Sequence, residues 1–390
     1  EVSAAHPLPA APAVLLRRSL QETADGLDAC DARAYVSLLA PFVDAGPELL
    51  SDLLAPLGLP RRPLTMLRFG LHALRSASGL ARGRFRGPRA QALLAGCAAH
   101  ATMPLEHRLT AALGLVFLLT GHLTDWPVVK GGSAALTRAL LGVLSSLGGR
   151  VETGRPVRSL HELPPSRVVL FDTSPANLLA VAGDALPRRY AQRLRRFRYG
   201  PGVFKVDWAL DGPIPWADPS MRRAATVHLG GTLEEVSASE AAMWRGHPSD
   251  RPFVLLCQQS VVDPSRAPAG KHTGYAYCHV PSGSTVDHTA AIEAQVERFA
   301  PGFQSLILAR HTMTAAAFDA YNPAWPGGAI SGGVSDLTQL FTRPVARWSP
   351  YSTPNPRLFL CSASTPPGGG VHGMCGHHAA RAALRTLSRR

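Results

Sequence analysis

Apolar positions recur at intervals of three and four through the first third of the chain. Ser19-Leu-Gln-Glu22 has capping-box spacing and opens a helix, and Tyr35, Leu38, Leu39, Phe42 and Val43 then mark one face of it. The same period predicts helices over Leu64–Leu74, Arg89–His100 and Glu106–Gly121. The last is apolar nearly all round, as a buried helix would be, and Val14–Leu16 reads as a short strand. From Trp126 the character changes. Pro127-Val-Val-Lys-Gly-Gly-Ser133 leads into a helix over Ala134–Leu147 that stops at Gly148-Gly149. Short strands are expected at Val151–Thr153, Val157–Leu160 and Arg167–Asp172. Beyond Arg188 the pattern is strand-rich, with Val203–Leu210, Ala225–Leu229, Phe253–Gln258 and Thr273–Val280 as strands and Leu233–Trp244 and Ala290–Phe299 as helices. The chain closes with a strand at Leu358–Cys361, a Gly/Pro loop and a helix from Gly373 to about Leu387, and no internal repeat is visible.

Composition narrows the class. The 390 residues are 46% hydrophobic and 17% charged, a globular rather than a disordered balance. No apolar run reaches the 18 or more residues that a membrane-spanning helix needs. The formal charge is +13, carried by 37 arginines and only three lysines, Lys130, Lys205 and Lys271. With so much Ala, Gly and Pro beside it, this arginine excess reflects codon bias as readily as a basic groove. Nucleic acid is therefore not expected as a partner; an anionic cofactor or lipid surface is an alternative use of the charge. The six cysteines have no CxxC and no zinc spacing, so they read as reduced thiols of a cytoplasmic protein, and no metal is expected.

The most informative stretch is Thr365-Pro-Pro-Gly-Gly-Gly-Val-His-Gly-Met-Cys-Gly376. Gly368, Gly370 and Gly373 fit G-x-G-x-x-G between a strand and a helix. Glycines let a backbone approach a ligand closely, and a helix amino end offers free N–H groups. Only 17 residues follow Gly373, too few for the second strand and acidic residue of a complete dinucleotide-binding unit. As a closing segment, however, it resembles that of the phytoene desaturase-like branch of the FAD-dependent amine oxidase superfamily. Trp126–Leu136 is similar to that family's P-x-GG-x-x-x-L turn and helix, and Gly148–Val157 to its GG-x-(I/V)-x-T-x-x-x-V strand pair. The resemblance runs through nearly the whole chain in the family's own order.

The resemblance implies an α/β fold: an incomplete FAD/NAD(P)-binding Rossmann-like domain interleaved with a mixed-sheet plus helical substrate domain. Residues 1–125 would be the helical part of the substrate domain and 187–350 its mixed α+β part. Residues 126–186 and 351–390 would be the middle and closing parts of the FAD-binding domain. FAD is the implied cofactor, with Gly368, Gly369, Gly370, Val371, His372, Gly373 and Met374 along the flavin, Gly131 and Gly132 at the second turn, and Val157 near the adenine. The implied activity is hydride transfer from a lipophilic, isoprenoid- or carotenoid-like substrate to the flavin. Members of the family begin with strand–GxGxxG–helix–strand–Glu, which this sequence does not contain. The expectation is a chain that starts inside the family's length and holds FAD poorly alone. The alternative is a non-catalytic relative that binds a lipid or a protein.

Individual residues keep two readings each. His372 could tune the flavin or relay a proton as a catalytic residue, or simply hydrogen-bond backbone. His377 and His378 are adjacent on a helix and point apart, which argues against a metal pair. His122 and Asp125 precede the second turn and could handle a proton, or cap it. Lys205 alternates onto one face of its strand, lining a substrate cavity or facing solvent. His228, His272 and His279 read as core or edge histidines. Arg189, Arg193 and Arg196 share a helical face, which is a solvated surface or a peripheral membrane contact.

Overall fold

The strand-rich pattern beyond residue 200 builds five strands of a seven-stranded sheet, and the first residues of the chain build the other two. The computed structural model describes residues 2–9 and 11–388. The chain enters as β1 (Val2–Leu8) and β2 (Ala11–Arg17), then runs through helices α1 (Leu20–Asp25), α2 (Ala32–Asp44), α3 (Gly46–Leu53), α4 (Pro63–Ala73), α5 (Ala77–Arg84), α6 (Pro88–Ala99) and α7 (Thr110–Thr124). A smaller module follows: α8 (Ser133–Ser146), β3 (Val169–Phe171), α9 (Pro175–Ala182) and α10 (Arg188–Leu194). The sheet is then completed by β4 (Gly202–Leu210), β5 (Ala224–Leu229), β6 (Val254–Cys257), β7 (His272–Val280) and β8 (Ile307–Met313), with α11 (Leu233–Trp244), α12 (Thr289–Phe299) and α13 (Ala315–Tyr321) between or after them. The chain returns to the small module through β9 (Leu358–Leu360) and α14 (Met374–Leu387).

The strand order is β2-β1-β5-β6-β7-β4-β8, antiparallel except where β1 runs parallel to β5. Alternation assigns the two faces. Phe204, Val206, Trp208 and Leu210 of β4 join Ala276, Cys278 and Val280 of β7 and Ile292 and Val296 of α12 in one core. Helices α2, α6 and α7 pack a second core over the β1–β2 end of the other face. The edge strand β8 is fastened by Arg310, which donates to both carboxylate oxygens of the buried Glu293, a group that also accepts from Trp208 Nε1 at 3.0 Å. Strands β3 and β9 pair in parallel as a separate two-stranded sheet, Val169 opposite Leu358, over a third core with α9 and α10.

Several expectations change. Residues 1–125 are not wholly helical, because Val2–Leu8 is buried along its whole length as a sheet strand. The helix opened by Ser19 ends at Gly26, and α2 starts afresh at Ala32. Helix α7 buries only one side: Ala111, Leu115, Leu118 and Leu119 are sealed, while Leu113, Val116 and Phe117 keep some exposure. The segments Val151–Thr153 and Val157–Leu160 are not strands; no neighbouring strand pairs with them, and most of their residues are exposed. β8, α3, α5 and α9 lack a clear apolar period and were not expected.

Candidate functional site

Two places in the fold have the makings of a site: the glycine loop between β9 and α14, and the half-buried face of the large sheet. In the loop, Gly368, Gly370 and Gly373 take φ of +114°, +145° and +66°, angles that side chains resist. A Cβ on Gly369 would lie 2.7 Å from the backbone oxygen of Ser331, so the two chain segments touch without side chains between them. Gly373 at the cap of α14 has no side chain to bond the helix amino end, which is left to its neighbours. His372 Nδ1 accepts the Met374 N–H at 3.0 Å, and burial holds this histidine below its ordinary value, so Nδ1 is the unprotonated nitrogen. Val371 at the loop tip is 95% exposed.

Behind the loop lies Arg343, fully buried. Its Nη2 donates to Gly333 O at 3.0 Å, and a Cβ on Gly368 would meet its Nη1 at 2.7 Å. Its Nε finds no hydrogen-bond partner among the described residues. Burial pulls the guanidinium down to about 10, with the nearby Cys375 working in the opposite direction. The Cys375 thiol, itself pushed up by burial, closes the loop through Gly368 O at 3.4 Å. An arginine in a sealed environment without a carboxylate is costly, and a positive charge at this spot favours an anionic or electron-rich group in front of the loop.

The Gly131–Gly132 turn sits elsewhere. Gly131 N–H donates to Asp263 Oδ2 at 2.7 Å, and a Cβ on Gly132 would collide with the Arg266 guanidinium. Its φ values of +77° and +90° again require glycine. This turn therefore bonds to the 259–266 segment, whereas the closing loop packs against Ser331 and Arg343. Val157 lies in the irregular stretch before β3, 36% exposed.

The sheet face opposite the α12 core carries Lys205 and Asp207 of β4, Tyr275 and Tyr277 of β7, and Cys257 of β6, all half-buried. Lys205 Nζ is 2.6 and 2.7 Å from the Asp207 oxygens and 4.9 Å above the Tyr275 ring. Burial first, then the neighbouring Cys257, pushes both tyrosines up, so they stay protonated donors. Beside them a continuous row of rings crosses the sheet. Phe117 stacks on His100 at 4.2 Å, Trp126 stands 5.7 Å from His228, and Phe253 and His279 carry the row to Tyr277. His100 Nε2 and His228 Nε2 share one proton at 3.0 Å, and His6 Nε2 donates to Gly231 O at 2.7 Å. His279 Nδ1 meets both oxygens of the buried Glu240, at 2.9 and 3.0 Å.

Sequence reasoning placed Lys205, His228 and His279 correctly as strand residues but did not see this row. The usable signal was the alternation of Tyr275, Tyr277 and His279 along one strand; His6 and His100 gave none. His122 is a structural link, since its Nδ1 donates to Arg18 O and its Nε2 accepts from Tyr35 Oη at 2.8 Å. His378 bonds Leu54 O at 3.1 Å, and His272 bonds Ser260 Oγ at 3.0 Å beside a separate pocket of about 350 Å³ that none of the glycine turns lines. No group of three His, Cys, Asp or Glu side chains among the described residues is arranged to hold a metal ion. No described helix is long and apolar enough to cross a membrane.

A sheet carrying a polar and aromatic face, joined to a parallel strand pair that ends in a glycine loop and helix, is an arrangement found in solved proteins. An oxidoreductase from Methanosarcina mazei superposes on the whole chain with a TM-score of 0.59 at 13% identity, covering 81% of that protein. Putrescine oxidase bound to putrescine does so at 0.55 and 13%, covering 82% of it. The fold is that of the FAD-dependent oxidoreductases. In sequence the chain is 30% identical over 308 residues to the rat "pyridine nucleotide-disulfide oxidoreductase domain-containing protein 2", covering 69% of this chain and 53% of the relative. The mouse protein of the same name matches at 30% over 349 residues, 78% of this chain and 59% of the relative. The chain thus spans little more than half the length of these relatives. No known protein-family profile matches it.

Proposed function

We propose that the chain forms the substrate-binding and flavin-edge parts of an FAD-dependent oxidoreductase of the phytoene desaturase-like type, acting on a lipophilic, isoprenoid-like substrate. The observation that carries the reading is the 368–373 loop, whose Gly368 and Gly369 have no room for a side chain and which leads into the amino end of α14 with Arg343 buried behind it. Gly368 to Met374 would hold the flavin, with Gly131, Gly132 and Val157 toward the rest of FAD. When bound, the flavin supplies the hydride acceptor.

The chain's own residues then have the remaining tasks. The ring row from Phe117 and Trp126 to Tyr277 packs an apolar substrate and excludes water from it. Lys205, fixed by Asp207, and the protonated Tyr275 and Tyr277 form the polar end of that face and orient a substrate oxygen or π-system. His372 offers its Nε2 to the ligand side, because Nδ1 is committed to the helix, and it is the residue proposed to hold or pass a proton.

Titrating the purified 390-residue chain with FAD tests the first half of this. Flavin fluorescence quenching with a dissociation constant in the micromolar range, weakened by Gly369→Ala, supports it. Absence of quenching at millimolar FAD overturns flavin binding by this chain. A second reading, a non-catalytic lipid- or protein-binding relative, is favoured by one feature: α8 buries no residue, although the outer edge of β9 is paired with Tyr351–Thr353. It is the reading to adopt if the chain binds an apolar fluorophore while FAD does not bind.

A further inference from the structure

Helix α4 turns its leucines outward. Phe69 and Ala73 face the core, with the Phe69 ring 5.4 Å from Phe42, and Met66 packs beside them. Leu64, Leu67, Leu71 and Leu74 fall on the opposite side at helical spacing, 82, 61, 64 and 47% exposed. The preceding loop adds Leu57 and Leu59, the latter fully exposed. An apolar stripe of this length on a rigid surface helix is a contact surface rather than scatter.

Charge says what the contact is. Between Leu53 and Leu105 the sequence has eight arginines and not one acidic residue. Arg61 and Arg62 are balanced by Asp52 and Glu48 of α3. Arg68 and Arg75 stand at the edge of the leucine stripe and bond only backbone oxygens, of Ser37 and Gly79. Arg84 reaches the same Ser37, and burial followed by the charges of Arg84, Arg75 and Arg68 holds His72 below its usual value.

We propose that residues 57–75 dock on an anionic lipid bilayer, the leucines entering the acyl boundary and Arg68 and Arg75 bonding lipid phosphates. A second copy of the chain is the poorer occupant, because a symmetric contact would bring two arginine rims together. A protein partner suits α8 better than α4, since α8 exposes Leu140 and Leu144 without the arginine rim that flanks the α4 leucines. The basic face of α10 lacks the apolar half, as Tyr190, Ala191 and Leu194 are all buried. This inference stands apart from flavin binding and is tested without it.

The test is co-sedimentation of the full chain with vesicles of phosphatidylcholine alone and of phosphatidylcholine with 30% phosphatidylglycerol, the composition being about that of a moderately anionic membrane. Binding should be at least about tenfold tighter on the anionic vesicles. Leu67→Asp with Leu71→Asp should lower it about tenfold or more, and Arg68→Glu with Arg75→Glu should erase the preference for anionic lipid. Arg189→Glu with Arg193→Glu should leave it unchanged. Circular dichroism melts of every variant check that the fold survives. Equal binding by the leucine variant, or none by the wild type, overturns the proposal. So does a dimer in light scattering that the leucine variant converts to monomer.

Discussion

At Gly369 a methyl group would press on the Ser331 carbonyl, and at Gly370 the φ of +145° is one that only glycine takes without strain. Gly369→Ala should therefore lower stability by about 1–3 kcal/mol, as a rigid overpacked contact does, and should move the 368–373 backbone away from any ligand. Urea unfolding reads the first effect and FAD titration the second. A midpoint unchanged within error would mean that the loop gives way freely and is not a preformed cradle. The loop was legible in the sequence because glycine spacing reports backbone angle directly. Arg343 was not: it lies 25 residues before the loop in an irregular segment, and only the folded chain reveals that its charge is sealed behind Gly368.

At the scale of elements, α6 meets the sheet through imidazoles. His100 stands at the end of α6, His6 on β1 and His228 on β5, and Gly96 leaves the gap into which His6 Nδ1 and His228 Nδ1 project without partners among the described residues. Burial holds His6 down to about 4 and His100 to about 3, and it holds His228 well below its ordinary value. Each takes up a proton on unfolding once the pH is below the ordinary 6.5. Stability is then full above that pH and falls as the pH drops toward 4, by up to about 1.4 kcal/mol per pH unit for each imidazole. Urea midpoints at pH 7.5, 6 and 5 should decrease in that order, and His100→Gln should flatten the decline. A midpoint independent of pH would mean that these rings are solvated in the folded state. The sequence announced some elements and hid others for clear reasons. Helix α11 was legible to the residue at Leu233–Trp244, and the structure adds a complete capping box of Thr232 and Glu235 at its start. β8 was not, since the residues of Ile307–Met313 are largely exposed and show no alternation. Val151–Thr153 and Val157–Leu160 carry strand-like residues, but pairing needs a neighbour, and the two-stranded β3–β9 sheet supplies none. The imidazole cluster was invisible for the same reason: its contacts join residues 128 and 225 positions apart.

For the molecule as a whole, two large apolar surfaces stand open, on α4 and on α8. Leu140 and Leu144 of α8 are 64 and 42% exposed, so Leu140→Gln with Leu144→Gln should change stability by less than about 0.5 kcal/mol. The same change should raise the concentration at which light scattering sets in. A loss of more than about 1 kcal/mol would mean that α8 is packed against something in solution. The parallel pairing of β1 with β5 has a consequence of another kind. Val2 meets Ala224, about 220 residues later, and every residue of β1 ends up buried. A ribosome adding about 5–20 residues per second takes roughly 10–40 s to supply that second partner. Throughout the interval β1 has only β2 as a strand partner, and one backbone edge and the face toward the later α12 core stay open to solvent or to a chaperone. Yield from cells should therefore respond to elongation speed and chaperone supply more steeply than the equilibrium stability of the finished chain would suggest.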